Sequence, residues 1–92
     1  MGGETMPEHT SAQVTFYVKA GCHLCDEARD ILDEIAAETE YELTEIDIRR
    51  DMALFERYRY RIPVILINGV EVAEGRIEYA DLMQAFPDQQ QA

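Results

Sequence analysis

Apolar and polar positions along this chain follow two rhythms, and the switches between them mark its elements. Gln13 to Val18 (QVTFYV) is rich in β-branched and aromatic residues and runs into Lys19, Ala20 and Gly21, so it reads as a strand. From Cys22 onward, Leu24, Ala28, Ile31, Leu32, Ile35 and Ala36 fall on one helical face with charged residues between them, which predicts a helix to about Glu38. Tyr41 to Ile48 (YELTEIDI) reads as a second strand. Its apolar parity changes between Leu43 and Ile46, which requires either a bulge or a short strand packed on both faces. Asp51 can cap a short helix through about Tyr58 that carries Met52, Leu54 and Phe55.

After Pro63, the run Val64-Ile65-Leu66-Ile67 is apolar at every position, as expected of a strand covered on both faces. Asn68-Gly69 follows directly. Both residues tolerate positive φ, so the dipeptide predicts a tight hairpin with Val70 to Ala73 as the returning strand. Tyr79, Leu82, Met83 and Phe86 mark one face of a last helix, which Pro87 helps to end. The predicted order is β-α-β-α-β-β-α. A right-handed crossover makes the first two strands parallel, and the hairpin adds an antiparallel pair, giving an α/β domain with a mixed four-stranded sheet and helices on both faces. Residues 13–86 form this domain, residues 1–12 read as a flexible N-terminal tail and residues 87–92 as a polar C-terminal tail.

Composition narrows the function. A chain of 92 residues has room for a single core. A formal net charge of -11 repels phosphate backbones and anionic headgroups, so neither nucleic acid nor a membrane surface is an expected partner. Met1 to Thr10 contains no continuous apolar run of the kind a secretory signal needs, and no later stretch approaches membrane-spanning length. The expected compartment is the cytoplasm and the expected state a monomer. In a reducing compartment, two cysteines separated by two residues point to redox or metal chemistry rather than to a structural staple.

That pair lies in Gly21-Cys22-His23-Leu24-Cys25, where the first strand meets the first helix. Cysteines at this spacing on a helix start are about one turn apart, close enough to form a disulfide without backbone movement. The thiolate is the attacking species, and a free cysteine is only about 3% ionised at pH 7, so activation means lowering its pKa. Cys22 sits where unpaired N–H groups and the positive helix end meet its sulfur, whereas Cys25 lies a turn inside. Cys22 is therefore the expected nucleophile and Cys25 the resolving thiol. Lys19 and a protonated His23 favour the anion, with His23 the candidate for tuning it, while Asp26 and Glu27 oppose it.

Taken together, these residues resemble the glutaredoxin family of the thioredoxin-like fold over roughly residues 13 to 86, and in particular small glutaredoxin-like proteins with a G-C-H-L-C motif. The resemblance implies a thiol/disulfide oxidoreductase in cell redox homeostasis. It implies that Lys19 meets a glutathione carboxylate and that Ile62-Pro63 corresponds to the family's Val-Pro. In that pair a cis proline faces the nucleophile, and the preceding residue offers backbone hydrogen bonds to substrate. Three positions depart from the family pattern: His-Leu replaces Pro-Tyr inside the motif, Asp26 and Glu27 stand where basic residues are common, and Ala73-Glu74-Gly75-Arg76 lacks the Gly-Gly then Asp that receives the γ-glutamyl end of glutathione. The implied substrates are disulfide-bearing proteins or glutathione mixed disulfides. The implied reductant is glutathione, as a co-substrate, or a thioredoxin-type reductase.

Other chemistries have less support. Tetrahedral zinc takes four ligands, and beyond the cysteines the chain offers only His23, on the same turn, and His9, in the N-terminal tail. No resident metal or cofactor is expected, although a metal or iron-sulfur carrier sharing its site between two chains, and a non-catalytic binding module, remain as alternatives. No glycine-rich phosphate loop is present. Arg57, Arg59 and Arg61, alternating with Tyr58 and Tyr60, form either a carboxylate-binding patch or a solvated face paired with the chain's own acids.

Overall fold

The computed structural model describes residues 11–87, and the two predicted tails fall largely outside them. The elements are β1 (Ala12–Val18), α1 (His23–Ala36), β2 (Tyr41–Asp47), a 3₁₀ turn (Ile48–Arg50), α2 (Met52–Tyr58), β3 (Val64–Ile67), β4 (Val70–Glu74) and α3 (Tyr79–Ala85). The sheet order is β2-β1-β3-β4. β1 pairs parallel with β2 and antiparallel with β3, and β3 pairs antiparallel with β4, so the mixed sheet is as the pattern predicts.

Period-2 alternation sorts β1 between the two faces. Ala12, Val14, Phe16 and Val18 are buried beneath Cys25, Ala28, Leu32 and Ile35 of α1 and Leu82 of α3. On the other face, Tyr17 packs with Leu54, Phe55 and Tyr58 of α2 and with Ile48. Tyr17 and Tyr58 stack with ring centroids 4.6 Å apart. The buried core residues are all apolar apart from the tyrosine hydroxyl, so two packed layers supply the domain's cohesion.

The parity change in β2 has a specific cause. Its register with β1 is unbroken over seven pairs, so β2 contains no bulge. It is an edge strand that changes allegiance along its length: Tyr41 packs with the α1 and α3 cluster, whereas Ile48, just past its end, is fully buried in the α2 cluster. Ile48 itself leaves the strand for the 3₁₀ turn, because the Asp47 side chain accepts from Arg49 N and turns the chain there. The irregularity in the sheet lies between β3 and β4 instead, where Ile65 faces Ala73 and Leu66 faces Glu71, leaving Val72 as the extra residue.

Other boundaries move slightly. β1 begins at Ala12, which is buried and pairs with Tyr41, so this residue belongs to the domain. α1 stops at Ala36 rather than Glu38 because the last turn tightens, with Ala37 N, Glu38 N and Thr39 N donating to carbonyls at Glu34 and Ile35. Phe86 follows α3 as its C-cap, with its N–H on Met83 O. Asn68 and Gly69 take φ of 52° and 84°, and Asn68 Oδ1 accepts from Gln13 N, which ties the hairpin to the start of β1. Among the described residues, no helix is long and apolar enough to cross a membrane.

Candidate functional site

The β1–α1 connection reverses at Gly21, whose φ of 79° a side chain would strain, and this delivers Cys22 to the helix start. Cys22 is the N-cap of α1. Its backbone is extended, its carbonyl accepts from Cys25 N and Asp26 N, and its Sγ accepts from Cys25 N at 3.0 Å. The sulfur therefore occupies the place that a serine or aspartate oxygen takes in an ordinary cap, with the Cys25 N–H directed at it. Cys22 and Cys25 are joined as a disulfide with their Cα atoms 5.1 Å apart.

The two sulfur-bearing residues differ in access. Cys25 is 1% exposed and packs into the main core, whereas Cys22 is half-buried at its edge. Cys22 is thus the more accessible of the two.

The other site residues converge from three elements. The register of β1 and β3 places Tyr17 opposite Val64, so Lys19 and Ile62-Pro63 leave the same end of the sheet as the cysteine loop. The Ile62-Pro63 bond is cis, as the resemblance implies, and Pro63 is fully buried. Ile62 is half-buried and packs into both clusters. Pro63 O accepts from Gly75 N at 2.8 Å, which holds the β4–α3 connection next to the proline. Lys19 is half-buried and forms no ion pair or hydrogen bond among the described residues.

His23 lies on the exposed side of the first turn, with Nε2 3.2 Å from Glu27 Oε2. The other oxygen of Glu27 is 3.9 Å from Arg76 Nη1, in the connection after β4. Spacing of four residues on a helix makes the His23–Glu27 contact legible from sequence. Arg76 carries no such signal, since only the tertiary fold brings it to α1.

The arginine-tyrosine run resolves mainly as a paired face. Arg61 bonds both Glu71 and Glu74, and Arg57 reaches Glu71 at 3.8 Å. Arg59 instead lies over the Phe55 and Tyr60 rings, 4.9 and 4.7 Å from their centroids. A shallow cavity of about 460 Å³ lies apart from the disulfide, lined by Arg49, Met52, Phe55 and Glu56. Among the described residues, no three His, Cys, Asp or Glu side chains gather as a metal site, and His9 lies outside them.

A family model described as a glutaredoxin-like domain (DUF836) matches residues 13–86. An X. campestris protein of solved structure is 29% identical, with a TM-score of 0.67 over 77% of this chain and 91% of that one. A Nitrosomonas europaea protein, 21% identical, superposes with a TM-score of 0.76 over 89% of this chain and 99% of its own. A mutant thioredoxin from Halobacterium salinarum, 20% identical, gives 0.63 over 83% of this chain and 72% of that one. The architecture is thus the thioredoxin-like fold.

Proposed function

The chain belongs to the glutaredoxin-like domain family, and from that premise we propose that it is a thiol/disulfide oxidoreductase that works through Cys22 and Cys25. The observation that carries this reading is the placement of the Cys22 sulfur as the N-cap acceptor of α1, half-exposed, within bonding reach of a buried Cys25.

In the reducing direction the dithiol form attacks. The Cys22 thiolate bonds to one sulfur of a substrate disulfide, and the other substrate sulfur leaves as a thiolate that takes a proton. Cys25, deprotonated in turn, attacks Cys22 Sγ, breaks the mixed disulfide and expels the second substrate thiol. Two electrons have passed to the substrate, and the Cys22–Cys25 disulfide remains. A dithiol reductase or two glutathione molecules return those electrons. The helix N–H groups stabilise the thiolate both as attacking and as leaving group, which is where a lowered pKa acts.

The groove beside Ile62-Pro63 receives the substrate backbone, with Ile62 offering hydrogen bonds, and Lys19 meets a substrate carboxylate. His23, the residue next to Cys22, is placed to tune the attacking sulfur when it is protonated and released from its contact with Glu27. The substrates are disulfide-bearing proteins or glutathione mixed disulfides in the cytoplasm, met by a monomer.

Turnover tests the reading. With a small disulfide substrate and a coupled reductant, the parent should release thiol continuously, whereas Cys22→Ser should lose activity by at least about 1,000-fold. A Cys22→Ser protein as active as the parent would overturn the proposal.

A further inference from the structure

Glu27 stands at the only described crossing between α1 and the β4–α3 connection that is made by charge, and it divides its two oxygens between a histidine and an arginine. Oε2 takes His23 at 3.2 Å and Oε1 takes Arg76 at 3.9 Å. His23 is the residue next to Cys22, and Arg76 follows Gly75, whose N–H is bonded to Pro63 O. Both side chains therefore lie at the end of the sheet that carries the disulfide. Their exposures, 73% for His23 and 70% for Arg76, leave them free to turn toward whichever anion is nearer.

We infer that Glu27 is a positioning residue that holds His23 and Arg76 in a carboxylate-centred cluster, so that neither the Arg76 guanidinium nor, in its protonated form, His23 is available to the Cys22 thiolate when the disulfide is reduced. The inference rests on the proposed function only in taking Cys22 as the attacking sulfur. Glu27 acts twice in the same direction. Its own charge repels the thiolate, and it neutralises Arg76, and His23 when protonated, which would attract it. The charged groups nearest along the chain to Cys22, Pro63 and Arg76 are Lys19 before α1, Asp26 on its first turn, Arg61 before β3, and Glu74 and Glu78 flanking Arg76, while Arg29, Asp30, Asp33 and Glu34 lie further along α1 and Asp81 lies in α3. Arg61 is already engaged by Glu71 and Glu74, and Asp26 pairs with Arg29 at 2.9 Å. Asp26 is thus a carboxylate on the same helical turn that binds neither His23 nor Arg76, which makes it the natural control.

The cluster makes the contributions of Glu27 and Arg76 to Cys22 interdependent. Removing one exposed charge at about 6 Å is worth roughly half a pKa unit, and releasing a neighbouring cation adds a similar amount. Glu27→Gln should therefore lower the Cys22 midpoint by roughly 0.5 to 1 unit, about 3- to 10-fold more thiolate below the midpoint. Asp26→Asn should give about half of that or less. Arg76→Gln alone should change the midpoint little, because Glu27 already neutralises Arg76. In the Glu27→Gln background the same substitution should raise the midpoint by several tenths of a unit.

The test is the pH dependence of Cys22 alkylation by iodoacetamide, read by peptide mass on full-length protein reduced with dithiothreitol and desalted, at about 20 mM ionic strength to limit screening. The four proteins are Glu27→Gln, Asp26→Asn, Arg76→Gln and the Glu27→Gln/Arg76→Gln double variant, beside the parent. Because the midpoint is read on the sulfur itself, it reports on Glu27 even in a protein that fails to turn over any disulfide. Equal shifts for Glu27→Gln and Asp26→Asn, or an Arg76→Gln effect that is the same with and without Glu27, would overturn the inference.

Discussion

Glu71 accepts from Arg61 and from the Tyr58 hydroxyl, and Arg57 lies 3.8 Å away. The hydrogen bond from Arg61, then that from Tyr58, holds its carboxyl below the ordinary carboxylate value. Tyr58 shifts the other way: burial first, and the bond to Glu71 second, raise its phenol above the ordinary value. A depressed carboxylate stabilises the fold above its unfolded pKa and loses that contribution as pH falls through the folded value. A raised phenol stabilises it below its unfolded pKa and loses that contribution as pH rises through the folded one. Denaturant unfolding followed against pH should therefore show an acid limb that is shallower in Glu71→Gln and an alkaline limb that is shallower in Tyr58→Phe. Limbs unchanged in both variants would remove these side chains from the account. At this scale the cysteine pair is legible in the sequence because its chemistry is local: spacing and a helix start suffice. Arg76 and the pairing of Arg61 are not, because their partners come from other elements and the sequence shows only charge.

Each helix start uses a different device. Cys22 caps α1 with sulfur, Asp51 Oδ1 caps α2 by accepting from Ala53 N and Leu54 N, and Glu78 makes no side-chain capping bond for α3. α2 is seven residues long, too short to be stable without its cap and its packing on β1 and β3. Asp51→Ala should cost about 1 kcal/mol, within about 0.5 to 2, measured as a drop in the denaturation midpoint with unchanged slope. Periodicity recovers nearly every element because burial on one face imposes it. What it misses comes from competing local bonds and tertiary packing. Ile48 joins a 3₁₀ turn because Asp47 captures Arg49, and β2 needs no bulge because its two ends pack on opposite layers. The bulge opposite Ile65 and Leu66 arises between two strands that both look regular in sequence.

Across the whole molecule, charge is unevenly spread. Residues 49–61 hold five of the eight basic residues against two acids, in a chain of net charge -11. Self-repulsion of that size opposes compaction, and salt screens it over about 10 Å at 0.1 M. Raising sodium chloride from about 10 mM to about 0.5 M should therefore raise the thermal midpoint, whereas a fall would show that the arginine-acid pairs outweigh the net repulsion. The same architecture gathers the β1 end, the start of α1, Ile62-Pro63 and the β4–α3 connection at one end of the sheet, which is how a motif of five residues acquires neighbours from distant parts of the chain. The most direct test of the account is intact-mass measurement of Cys25→Ser and Cys22→Ser, each reduced, desalted and mixed with oxidised glutathione. Cys25→Ser should accumulate one covalent glutathione on Cys22, while Cys22→Ser, left with the buried Cys25, should stay unmodified over the same interval. Adduct on Cys22→Ser at a comparable rate, or none on Cys25→Ser, would contradict the assignment of Cys22 as the attacking sulfur.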